Sequence, residues 1–114
     1  MPFINTITTK EISKEKKNEL TRLLGEAIAL IHGKSERWLM LKFEGGADMA
    51  FSGDSERDCA MVEVELFGEA DKNATGALTK RITEILRDEL DIPTERIYVK
   101  YFGTRAWGYD GENL

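Results

Sequence analysis

The sequence predicts an α+β fold in which one β-α-β unit is written twice, giving a four-stranded mixed sheet with two helices on one face. Three observations carry this. Each half holds a short strand pattern, a segment with helical spacing and a second strand pattern, in that order. A constant offset of 58 residues superimposes the halves: Leu20 falls on Leu78, Leu24 on Ile82, Ile28 on Leu86, Ile4 on Val62, Leu39 on Ile97 and Leu41 on Val99. Each helical segment meets a stop signal, Gly33 in the first half and Pro93 in the second. The 114 residues form one domain, 1–114, with pseudo-repeats at about 2–44 and 58–102.

Taken in order, Phe3 to Thr8 reads as a strand, and Lys10 to Glu15 is a polar entry to a helix with Ser13 as its cap. Leu20, Leu23, Leu24, Ala27, Ile28 and Ile31 recur at helical spacing up to Gly33. Trp38 to Phe43 reads as the second strand. Gly45-Gly46 and Gly53-Asp54 mark turns around a short Met49-Ala-Phe segment. Cys59 to Phe67 is a strand with Val62, Val64 and Leu66 on one face. Asn73 is the expected cap of a second helix carrying Leu78, Ile82, Ile85, Leu86 and Leu90, which Pro93 ends. Ile97 to Phe102 is the last long strand. Within each unit the helical crossover makes the two strands parallel.

Both helices are then spent on one face of the sheet. The other carries Phe3, Ile7, Trp38, Met40, Met61, Phe67, Tyr98 and Phe102, mixed with Lys42, Glu63, Glu65 and Lys100. A half-wet sheet face accommodates such a mixture. The number of aromatic residues favours burial against further copies of the chain, because soluble monomers rarely expose so large an apolar patch.

Composition removes several classes of function. Charged residues are 32% and apolar ones 41%, the profile of a globular chain. The net charge of −5, with scattered Lys and Arg, argues against a nucleic-acid footprint. No stretch approaches the ~20 apolar residues that span a bilayer. The opening Met1-Pro-Phe-Ile-Asn-Thr lacks the basic start and apolar core of a signal peptide, so the expected compartment is the cytoplasm. Cys59 and His32, one of each type, are too few ligands for a metal centre.

Several short runs stand out in order. They are Met1-Pro2 opening a strand, Gly33-Lys34 closing the first helix, Met49-Ala-Phe-Ser-Gly, Cys59-Ala-Met, Arg96-Ile-Tyr-Val with Tyr101-Phe102, and the tail Trp107-Gly-Tyr-Asp-Gly. A Met-Pro start carries little by itself. Together with the matching duplication, these marks make the whole chain resemble the macrophage migration inhibitory factor family of the tautomerase superfamily. The resemblance implies a symmetric homotrimer with sites at subunit boundaries and no cofactor. It also implies exchange of keto and enol forms of phenylpyruvate-like aromatic 2-oxo acids. Some family members are secreted without a signal peptide and act as cytokines. The alternative function is therefore a cytokine-like interaction module with a vestigial pocket. A dehalogenase or decarboxylase of the same superfamily needs further arginines or acids to activate water, and no such signature is present.

Keto–enol exchange requires a base beside the α-carbon and an acid that serves the oxygen. The resemblance assigns the base to Pro2, exposed as an amine once Met1 is removed. That amine must be neutral near pH 7, so an apolar pocket or nearby cations must lower its pKa; Phe3 and Phe67 are the expected apolar neighbours. Lys34 suits the negative end of a helix on charge grounds alone, and the resemblance adds a grip on the substrate carboxylate. Tyr98 corresponds to a tyrosine that reaches the site from the neighbouring subunit. Trp38 corresponds to a rim aromatic and Phe67 to an apolar residue near the base, although packing explains both equally well. Lys100 replaces an asparagine of vertebrate members and adds positive charge. The resemblance puts Trp107 on the rim of the pocket as a substrate contact, on a tail from Gly103 to Leu114 that is shorter than the vertebrate one. The vertebrate Cys-x-x-Cys is reduced to Cys59-Ala-Met-Val62, so a dithiol cycle is not expected.

Overall fold

Alternation along Pro2–Thr8 (β1) buries Ile4, Thr6 and Thr8 on one face and leaves Phe3, Asn5 and Ile7 half-buried on the other. The computed structural model describes residues 1–114. After β1 come α1 (Lys14–Ala27), β2 (Met40–Glu44), β3 (Ala60–Phe67), α2 (Lys72–Leu90) and β4 (Ile97–Thr104). A two-stranded hairpin, β5 (Gly108–Tyr109) and β6 (Glu112–Asn113), closes the chain. The four long strands lie in the order β2-β1-β3-β4. β1 pairs parallel with β2 and antiparallel with β3, and β3 pairs parallel with β4.

The duplication extends to register. Phe3 lies opposite Met40 and Ile4 opposite Leu41 in the first unit. Met61 lies opposite Tyr98 and Val62 opposite Val99 in the second, the same pairs displaced by the repeat. Both helices cover one face, where Ile4, Leu24, Ile28, Val62, Leu78 and Ile82 are fully buried. The opposite face carries Met40, Tyr98 and Phe102, which are 67%, 58% and 62% exposed.

Several boundaries fall elsewhere than expected, each for a local reason. Ser13 caps α1 as expected, accepting from the Lys16 N–H at 3.1 Å. The α-helix stops at Ala27 and tightens into a 3-10 turn over Ile28–Leu30, which satisfies its last carbonyls before any glycine is reached. Gly33 instead adopts φ +83° in the next turn, where the Lys34 N–H donates to the Ile31 carbonyl at 3.0 Å. Trp38 is not in β2. It ends a 3-10 turn, Glu36–Trp38, whose Leu39 N–H closes on the Glu36 carbonyl at 3.1 Å.

Asp71, not Asn73, caps α2, because Asp71 has the extended backbone of a cap and accepts from the Ala74 N–H at 2.8 Å. α2 ends at Leu90, where Asp91 turns left-handed with φ 55°, before Pro93 acts. Cys59 precedes β3, and β4 runs on past Phe102 to Thr104 opposite Phe67.

Candidate active site

Pro2 lacks an N–H, so the first position of a strand costs it no ladder hydrogen bond. β3 holds it there: Pro2 lies opposite Leu66, and the Phe67 N–H donates to the Met1 carbonyl at 3.0 Å. Pro2 is buried and Met1 half-buried. Lys34 reaches the same corner from the turn after α1, and its Nζ donates to the Phe67 carbonyl at 2.7 Å. The amino terminus of Met1 is held below the usual α-amino value. Burial is the largest cause, followed by the Lys34 charge and a hydrogen bond with Lys34. Each cause favours a neutral amine, the form able to accept a proton.

Beside this corner lies a largely apolar recess of about 350 Å³. Met1, Pro2 and Phe3 line its strand side, and Leu39 and Met40 lead into β2. Trp38 and Trp107 complete the wall with Tyr109, whose ring meets Trp38 edge-on at 5.2 Å between centroids. The Arg37 guanidinium stacks 4.9 Å from the Trp38 ring centre.

A family model for macrophage migration inhibitory factor matches residues 1–113. This chain belongs to the macrophage migration inhibitory factor family. It is similar to the macrophage migration inhibitory factor homolog of Brugia malayi, with 26% identity over 106 residues, 93% of this chain and 90% of that protein. The crystal structure of Leishmania major MIF2 shares 32% identity and superimposes with a TM-score of 0.92, covering 100% of this chain and 97% of that one. The homologue from Prochlorococcus marinus shares 28% identity with a TM-score of 0.78, covering 96% of each chain. Membership in the macrophage migration inhibitory factor family places the chain in the tautomerase superfamily.

Within one subunit the expected site residues divide into two groups. Pro2, Trp38 and Trp107 line the recess, and Lys34 and Phe67 meet at its amino-terminal corner. Tyr98 and Lys100 lie elsewhere. Tyr98 is opposite Met61, whereas Pro2 is opposite Leu66, so five residues or roughly 17 Å of strand separate the two levels. The Tyr98 ring packs instead against Phe51, 5.0 Å between centroids. Lys100 pairs with Glu63 at 3.0 Å and holds that carboxyl below the usual range, so its positive charge is already matched within its own subunit.

Arg37 and Tyr109 were not expected on the recess. The signal for Tyr109 was present: Asp110-Gly111 forms a tight hairpin turn, with φ 52° and 81°, that folds the tail beside Trp38.

Proposed function

We propose that this chain is a cofactor-independent keto–enol tautomerase of phenylpyruvate-like aromatic 2-oxo acids, with the Pro2 amine as general base. The observation that carries the proposal is the corner where Lys34, Phe67 and the start of β1 meet, because burial and Lys34 both hold the amine now at that end of the strand, that of Met1, toward its neutral form. While Met1 is attached, the Pro2 nitrogen is a tertiary amide and has no useful basicity. Removing Met1 leaves a secondary amine one residue further into the buried end of the strand. It also removes the carbonyl that now occupies the Phe67 N–H. That N–H and the Lys34 ammonium then form a paired donor site for the substrate carboxylate.

The aromatic end of the substrate would lie against the wall formed by Trp38, Tyr109 and Trp107. Pro2 takes the proton from the carbon beside the carbonyl, and the enolate oxygen takes one from the Tyr98 phenol of a neighbouring copy or from water. The proton on Pro2 passes to solvent to restore the donor, so the change is an isomerisation with no net reagent. Tyr98, on the outer sheet face and remote from its own Pro2, serves the recess of a neighbouring copy in a homotrimer.

The test is the mass of the mature chain measured together with phenylpyruvate turnover. A chain lacking Met1 should be active, with turnover rising through an acid-side pKa below the ~7.7–8.0 of an ordinary α-amino group. Mature chains that do not turn over phenylpyruvate yet bind a receptor tightly would establish the cytokine-like interaction module instead.

A further inference from the structure

We infer that the recess selects a dianion: an aromatic 2-oxo acid carrying a second acidic group at the end of its ring remote from the 2-oxo acid. This rests on the proposed function for the first anionic group and adds the second. Arg37 is the residue that carries it. Arg37 lines the recess, exposed to solvent, and its guanidinium lies over the Trp38 ring at 4.9 Å with no salt bridge and no side-chain hydrogen bond.

Its neighbour in the same turn is sent the other way. The Glu36 carboxylate lies over Gly25 of α1, where it would clash with any added Cβ. No Asp or Glu lines this recess, although the chain carries a net charge of −5. Glu65 lines the adjoining hollow that shares Trp107 and Gly108, not this one. The local charge is therefore of one sign, set against the charge of the whole chain.

The two cations also sit apart. Lys34 is tied to the Phe67 carbonyl at the Pro2 end, and Arg37 lies over Trp38, whose ring meets Tyr109, at the aromatic end. A planar guanidinium held over an indole keeps its N–H edge for a carboxylate and loses little side-chain freedom on engaging one. A neutral ring substituent gains nothing comparable from it.

The experiment is calorimetric titration of the processed full chain with two stable planar probes, 4-carboxycinnamate and 4-carbamoylcinnamate. Both offer Lys34 a carboxylate and differ at the remote position in charge. The carboxy probe should bind about tenfold more tightly, the order expected of one charge-assisted hydrogen bond. Arg37→Gln should erase that preference while leaving the carbamoyl probe little changed, Arg37→Lys should restore part of it, and added salt should shrink it. Equal affinities in the unmodified chain, failure of either probe to bind, or a preference that survives Arg37→Gln would overturn the inference. Phenylpyruvate turnover on the same samples separates the two readings. A preference without turnover removes the tautomerase and leaves the dianion site standing, and turnover without a preference does the reverse.

Discussion

Lys34 serves two ends with one ammonium group: it satisfies the Phe67 carbonyl and disfavours a charged amine beside it. In the chain that retains Met1, Lys34→Ala removes the second and third causes of the lowered Met1 amine pKa and leaves burial, the largest. On the proposed mechanism the Pro2 amine of the processed chain takes that place beside Lys34, so its pKa should rise in this variant. Since only the neutral amine accepts a proton, the acid limb of the turnover profile should move to higher pH. The same variant should weaken aromatic 2-oxo acids about tenfold or more, ~1.5–3 kcal/mol, and a neutral carbonyl analogue less. Equal losses would make Lys34 only a cation at a helix end.

Arg96 was legible only as part of a short run, and its role was not. Its buried guanidinium donates to the carbonyls of Asp58 at 3.0 Å, Phe51 at 3.1 Å, Asp54 at 2.8 Å and Arg57 at 2.9 Å. These bonds tie the loop before β3 to the start of β4. Such contacts lack periodicity, and their partners lie some forty residues away, so no sequence pattern announces them. Arg96→Leu should cost roughly 3 kcal/mol in chemical denaturation, because four carbonyls lose their common donor together. A loss below about 1 kcal/mol would contradict that role.

At the level of elements, the strands and helices were legible because their apolar residues repeat at periods of 2 and 3.6 over several turns. Their ends were not, since ends depend on single caps. Asp71 and Asn73 are both capping residues by type, and only the extended backbone at Asp71 decides between them. Asp71→Ala should therefore cost ~1 kcal/mol of stability, and Asn73→Ala should stay within about 0.5 kcal/mol. Thermal or denaturant melts of the two variants decide the assignment, and a reversed order would restore Asn73 as the cap. Trp38 illustrates the same limit. Alternation placed it in a strand, but the 3-10 turn over Glu36–Trp38 places it on the recess wall, facing Tyr109.

For the whole molecule, the duplicated sheet leaves one question that a single chain does not answer. Both helices sit on one face, while Met40, Tyr98 and Phe102 stay more than half exposed on the other. Tyr98 and Lys100 are also the two expected site residues that the chain does not bring to its own Pro2. The proposed homotrimer would account for both features, covering the apolar face and delivering Tyr98 to a neighbour. Sedimentation at micromolar concentration should give a mass near three chains. A stable monomer with full tautomerase turnover would refute the shared site.

The central claim, that the Pro2 nitrogen is the base, is tested most directly by comparing the processed chain with one in which Ala is inserted between Met1 and Pro2. The inserted chain keeps its proline but ties the nitrogen into an amide. It should fold and assemble like the processed chain and lose at least ~10²–10⁴-fold of its phenylpyruvate turnover, the range general-base catalysis contributes. Equal turnover by the two chains, at equal mass in solution, would contradict the proline mechanism.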